Sequence, residues 1–342
     1  MRIRNLLTPV LVLLIFCSFS QISVTAQDDL AGLLLTVNSN GDAPDANAGD
    51  RVCADSGRRC TLRAAIEESN AGSTRNAIIF DLAQPAIIVL TLGELSVSKN
   101  LDIVGPGARR LTVQRSTVAG TPNFRIFHLP VGQTSFNIRG ITIKNGNDFA
   151  GGGLFIQEGN IVALYDVALS ENRATAGGGI ANFATLSIFR SLLNSNIAIN
   201  QGGAITSTVG SASLSIISST LTENSASFGG ALDNVGSAVL INNTISRNAA
   251  SSGSSSIFSN PLGNVKVMNT IIGRDIGQTV PTIQGQFQSL GNNIVTNSQG
   301  STGFTNGVNS DQVSNNNSID PIVLIRCSET SRTMAVKPIP WL

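Results

Sequence analysis

The chain has 342 residues, 22 basic and 21 acidic, and its charged residues make up 13% against a typical ~25%. The near balance argues against a nucleic-acid partner, and 42% apolar residues spread through the length argue against a disordered chain. A folded protein with a polar, largely uncharged surface follows.

The first element reads as an export signal. Arg2 and Arg4 precede an apolar run from Leu6 to Phe19, and Val24, Thr25 and Ala26 offer small residues to signal peptidase, so cleavage is predicted after Ala26. The run is shorter than the ~20 residues of a membrane span, and no later segment approaches that length. Phe16 ahead of Cys17 argues against a lipoprotein signal. Residues 1–26 are therefore read as a signal peptide, and the remaining 316 residues as secreted or cell-surface, without a transmembrane span.

Cys53 and Cys60 lie seven apart in CADSGRRC, the pair that an oxidising compartment would bridge. The rival reading, a metal site, needs further ligands, and His128 is the single histidine. Asp42, Asp45 and Asp50 occupy the Gly- and Asn-rich loop before Cys53 and are candidate calcium ligands, although their spacing fits no standard calcium loop. The alternative is a polar loop pinned by the disulfide. No other cofactor is expected. TLRAAIEESNA, with Thr61 as N-cap and Leu62, Ala65 and Ile66 on one face, predicts a helix. Residues 27–75 then form an N-terminal cap.

Alternating pairs follow: Leu95/Val97, Leu101/Ile103 and Leu111/Val113, interrupted by Gly105, Pro106 and Gly107. His128, in RIFHLP, sits on an alternating stretch and reads as a packed or hydrogen-bonded strand residue rather than a base. Next comes a repeat. Asn172, Asn196, Asn224 and Asn248 fall 24, 28 and 24 residues apart, with Gly146 and Asp275 in the same slot at either end. Three residues before this marker stand Ile143, Leu169, Leu193, Leu221, Ile245 and Ile272. Apolar residues also fill the slots eight and ten before it in every unit. Eight or nine residues after the marker, Leu154, Ile180, Ile205, Leu232 or Ile257 follows a cluster of small residues.

This spacing predicts three short strands and three turns per unit of about 26 residues, one coil of a parallel β-helix. Gly152, Gly178, Gly202 and Gly229 are expected to relieve one corner, and the marker asparagines to hydrogen-bond from coil to coil as a ladder. The solenoid is assigned to residues 76–288.

Residues 36–71, with CTLRAAI at 60–66, resemble the CSLREA domain that opens secreted bacterial β-helix proteins. Cys60, Leu62, Arg63 and Ile66 match its motif, while Ala64 stands in place of an acidic residue. The repeats, with GGAI and LTEN ends, are similar to the right-handed parallel β-helices of bacterial surface proteins. They are similar more loosely to chlamydial polymorphic outer-membrane proteins, which favour Phe where this chain has Leu or Ile three before the Asn. The resemblance implies an all-β fold, a right-handed parallel β-helix with a short helical cap, the hand also being that of parallel crossovers in general. It implies an extracellular location, and no particular activity.

Residues 289–321 resemble the segment leading into the C-terminal region of such proteins, which commonly continues with a sequence like DNGGKTYTMAL. One codon choice for TMAVKPIPWL, read one base earlier, encodes Asp-Asn-Gly-Gly-Lys-Thr-Tyr-Thr-Met-Ala. Residues 322–342 are therefore expected to be a frameshifted reading, with Cys327 and Trp341 as by-products.

A non-catalytic structural, adhesive or glycan-binding module is the expected function, with an extracellular glycan or surface partner. The alternative is a carbohydrate-active enzyme, a polysaccharide lyase or glycoside hydrolase. Glu171 and Glu223 share one slot two coils apart, ~9.6 Å at the usual strand spacing, which is the upper limit for an inverting carboxylate pair. Asp166, Arg173, Arg190 and Arg247 add charge without an evident cluster, and Tyr165, Phe183 and Phe189 are candidate outward aromatics.

Overall fold

A computed structural model describes residues 32–208, 212–277 and 280–319. The signal-peptide and frameshift readings fall on residues outside this range. The described chain winds into a parallel β-solenoid of about eight turns, with an α-helix inserted after its first strand. The coil containing Asn172 shows the plan. A five-residue strand, Ile161–Tyr165, is followed by Ala168–Ser170, then Arg173–Ala176, then Ile180–Asn182. These four strands define the first, second, third and fourth faces, and each pairs in parallel with its counterpart one coil on.

The register repeats faithfully. Phe136, Val162, Leu186, Leu214, Ala238 and Val265 stack one above another on the first face, as Ile143, Leu169, Leu193, Leu221, Ile245 and Ile272 do on the second. All are buried, as are the apolar residues that open the fourth-face strands. Mostly Leu, Ile and Val fill these slots, each meeting an apolar neighbour ~4.8 Å away, with Phe127 and Phe136 as the bulkiest buried side chains.

Each repeating coil has four strands where the spacing predicts three. The extra one begins just after the marker and carries a single inward residue, such as Ala174 or Ala198, so it leaves no alternating apolar signature. The glycine corner is also shifted. Gly151 and Gly177, rather than Gly152 and Gly178, take positive φ, together with Gly202 and Gly229. At Gly178 a Cβ would lie 2.5 Å from the carbonyl oxygens of Gly203 and Ile197. The glycine pair thus combines a left-handed turn with a close crossing of backbones.

The remaining corners turn on non-glycine residues. The residue before the marker is left-handed in every repeating coil, at φ 60, 55, 55, 59, 58 and 57° for Asn145, Glu171, Ser195, Glu223, Arg247 and Arg274. Five residues earlier Asp166, Arg190, Ser218, Asn242 and Asn269 do the same. Each such turn swings the next N–H away from the neighbouring strand. A side chain from the following coil then accepts it. Asn172 N donates to Asn196 Oδ1 at 3.2 Å, Asn196 N to Asn224 Oδ1 at 3.0 Å, and Asn224 N to Asn248 Oδ1 at 3.0 Å.

The same amides complete themselves. The Nδ2 groups of Asn172, Asn196 and Asn224 each donate to the next Oδ1 at 3.0 Å and to a main-chain oxygen of the preceding coil, those of Ile143, Leu169 and Leu193. Both hydrogens and both lone pairs of Asn196 and Asn224 are used, so these wholly buried amides carry no desolvation penalty for an unmade bond. A second ladder runs at the other corner. Val167, Ser191, Ser219, Asn243, Thr270 and Asn293 donate their N–H groups to the side chains of Ser191, Ser219, Asn243, Thr270, Asn293 and Asp311. Small polar residues recurring five before the marker were its signal in the sequence.

The cap is more entwined with the solenoid than a boundary at residue 76 implies. Leu34–Val37 already pairs in parallel with Asn76–Phe80, as the first rung of the first face. The helix Leu62–Ala71 follows, capped by Thr61 Oγ1, which accepts from Ala64 N at 3.0 Å. Leu62, Ala65 and Ile66 are buried. Arg63 reaches the carbonyl oxygens of Gly93 and Glu94 and pairs with Asp42 at 2.8 Å. Cys53 and Cys60 are bridged, with Cα atoms 5.1 Å apart.

Replacing Leu193 by Asp places an unpaired carboxylate against Leu169 and Leu221, and should cost more than about 4 kcal/mol. Glu223→Gln, at an exposed corner, should change stability by less than about 0.5 kcal/mol. Chemical denaturation of the two variants checks both.

Candidate functional site

The sequence-predicted acids do not form a pair. Glu171 Oε1 lies 2.9 Å from Lys144 Nζ in the preceding coil, and Glu223 Oε1 lies 3.0 Å from Arg247 Nε in the following one. Their shared slot is the left-handed corner, with Ser195 between them. Each carboxylate is engaged with its own cation.

The three loop aspartates meet N–H donors instead of facing a common centre. Asp42 accepts from Arg63 and from the N–H groups of Thr91 and Leu92; Asp45 accepts from Asn47 and Ala54; Asp50 accepts from Val52 and the Asn47 amide. Donors aimed at these oxygens occupy the positions a cation would take. Among the described residues no group of three His, Cys, Asp or Glu side chains gathers as a metal site.

The outward aromatics are half-buried and cover one another. Tyr165 stacks on Phe189 at 5.0 Å with Arg139 on its other side at 4.7 Å, and Phe155 meets Phe183 edge-on. In-register stacking leaves the Tyr165 ring no free face for a ligand. Arg190 forks onto Asp166 with both contacts at 2.8 Å, and these hydrogen bonds hold the Asp166 carboxyl below its ordinary range.

A different cluster assembles where the third face begins. His128 Nδ1 lies 2.8 Å from Glu94 Oε1, and Arg125 bridges Glu94 at 2.9 Å to Asp148 at 2.8 Å while its guanidinium sits 4.8 Å over the Phe155 ring. His128 stacks on the same ring. This network fixes Asp148 at the rim of a groove of about 410 Å³ on the third face. Asn123 and Asn147, joined by a 2.9 Å amide hydrogen bond, line it together with Thr175. Phe149 and Ile199 also line it, 73% and 68% exposed, and Arg173, in register between Asn147 and Ile197, is exposed and without an ion pair among the described residues.

The groove therefore presents an exposed aromatic ring, a guanidinium without an ion pair among the described residues, amides and one fixed carboxylate. Such a set can stack on a flat apolar face, hydrogen-bond hydroxyls and attract an anionic substituent. In the sequence Arg173 reads only as charge without a cluster, and Phe149 and the asparagines carry no signal, because the third-face strand is invisible in apolar periodicity. No family model, curated protein or solved structure matches the chain.

Two further carboxylates are shifted by burial. Asp275 ends the marker ladder, accepting from Asn248 N at 3.2 Å and from the hydroxyls of Ser255 and Ser256. Burial pushes it up to about 6, against the lowering effect of those bonds and of Thr282. Asp233, buried with Thr206 Oγ1 at 3.3 Å, is likewise pushed by burial to about 6.

A folded-state pKa above the ordinary 3.8 means that the native protein holds more protons than the unfolded chain between about pH 4 and 6, so each group lowers stability as pH rises through that window. Asp275→Asn supplies a neutral amide in the ladder slot. The melting temperature of the variant relative to the parent should rise from pH 4 to 7, corresponding to about 2 kcal/mol. An unchanged difference across that range would count against Asp275 as the titrating group.

Proposed function

We propose that this protein is a secreted or cell-surface module of the CSLREA-type β-helix class, and that the third-face groove binds glycans without transforming them. The observation that carries this reading is one groove that gathers the exposed Phe149 ring, the hydrogen-bonded Asn123–Asn147 amides and Arg173, which has no ion pair among the described residues. Ring stacking on a sugar face and amide hydrogen bonds to hydroxyls are the interactions this set offers. The CTLRAAI motif supports the class, and the Cys53–Cys60 bridge is of a kind that persists in oxidising compartments. The carboxylates Glu171 and Glu223 support a catalytic role less well, because each is held in an ion pair at an exposed corner.

The purified protein should bind a subset of neutral or acidic polysaccharides on a glycan array, without releasing reducing ends or unsaturated products. Phe149→Ala and Arg173→Ala should each weaken that binding at least about tenfold, ~1.4 kcal/mol, with unchanged thermal transitions. Product release would favour the enzyme alternative. Binding indifferent to both substitutions would place the ligand elsewhere.

A further inference from the structure

We propose that the N-terminal edge of the second face is a docking slot for one extended peptide strand of a partner protein. Ala86–Leu90 is the first strand of that sheet and, among the described residues, pairs only with Leu111–Arg115. In a parallel pair, alternate residues direct both N–H and C=O to the same neighbour. Ala86 N donates to Arg110 O, and Leu90 O accepts from Ser116 N, both at 2.8 Å. Residues 86, 88 and 90 therefore face the solenoid. The N–H and C=O groups of Ile87 and Val89 point away from it, and no described residue pairs with them. Their side chains are 50% and 37% exposed, whereas Ile88 and Leu90 are buried in the core.

The unpaired edge borders a hollow at its N-terminal end. Asn38, Ser39, Asn40 and Arg59 face Pro85 and Ile87 across a space of about 360 Å³. It exists because the chain skips a strand. After Val37 it runs into the disulfide loop and the helix, and the carbonyl oxygen of Cys60 holds Asn38 N and Ser39 N at 3.0 and 3.1 Å. The place that a preceding coil would give to a second-face strand is left open. Asp42, bonded to Thr91 N and Leu92 N, closes the far end.

A row of alternating backbone donors and acceptors matches a peptide main chain better than a sugar. The charge around the open end selects the peptide. Arg59 lines the slot with 62% of its side chain exposed and one partner, Asp55, while Arg58 and Arg110 nearby are exposed and without ion pairs among the described residues. Asp81 is the exposed acid beside them. The occupant that fits is a strand with apolar residues two apart and a carboxylate at the end near Arg59.

Val89→Pro tests this with little cost to the fold, since the N–H it removes has no internal partner. The probe is a fluorescein-labelled Asp-Thr-Val-Thr-Val-Thr peptide. In the protein alone, hydrogen exchange should be fast at the Ile87 and Val89 amides and slow at Ile88 and Leu90, and the peptide should slow the first two. Val89→Pro should weaken peptide binding at least about tenfold with the melting temperature preserved. Arg59→Glu should weaken it too, but not for a probe with Lys in place of Asp. Ile87 and Val89 amides already protected in the protein alone, no peptide-induced protection, or self-association that Val89→Pro abolishes would each overturn the proposal.

Discussion

The coil depends on what happens to one N–H after each left-handed corner. At Glu171, Ser195 and Glu223 the backbone turns through positive φ, and the amide that follows no longer meets a carbonyl of the next strand. The side chain in the same slot one coil on supplies the acceptor. A buried donor without a partner costs ~1–3 kcal/mol, so a corner of this kind requires an acceptor in the slot of the following coil. Asn adds two donors of its own and thereby binds three successive coils. Ser and Thr, at the second corner, accept from one coil and return their hydroxyl to a nearby carbonyl, as Ser191 does to Phe189.

Ladders of this kind end where the slot changes. Gly146 contributes only its N–H to Asn172, at 3.0 Å, and a Cβ there would strike the Gly152 carbonyl oxygen. At the other end Asp275 accepts from Asn248 but places a carboxyl in a buried site, surrounded by hydroxyls instead of a cation. Each ladder thus ends on a buried carboxylate, Asp275 or Asp311, where no further amide has to be matched.

The corners also decide where charge can act. Acids and bases at left-handed positions project to solvent and find partners along the same ridge, as Asp166 and Arg190 or Glu223 and Arg247 do. Arg173 follows the marker instead of preceding it and begins the third-face strand. It therefore points away from that ridge, into the groove beside Phe149. At the N-terminus, diversion of the chain into the helix both covers the core and leaves the edge of Ala86–Leu90 unpaired.

Most of the fold was legible because a solenoid repeats its reasons. Leu193 and Leu221 are buried for the same cause, and the period that relates them is written in the chain. Apolar alternation marked the first and second faces, a recurring apolar residue after a small-residue cluster marked the fourth, and Thr61 marked the helix start. The third face was not legible, since a strand contributing one small inward residue has no periodicity, and with it went Phe149 and the groove. The cap loop misled in a similar way: Asp42, Asp45 and Asp50 have the composition of cation ligands, but only the folded backbone turns N–H groups toward them. By itself the sequence determined the coil, its register and its core, because these follow from neighbours one period apart. Which charges pair, which rings cover one another and which edge stays open were decided by the tertiary structure. Those outcomes depend on the direction in which each corner aims a side chain, and residue type alone does not specify that direction.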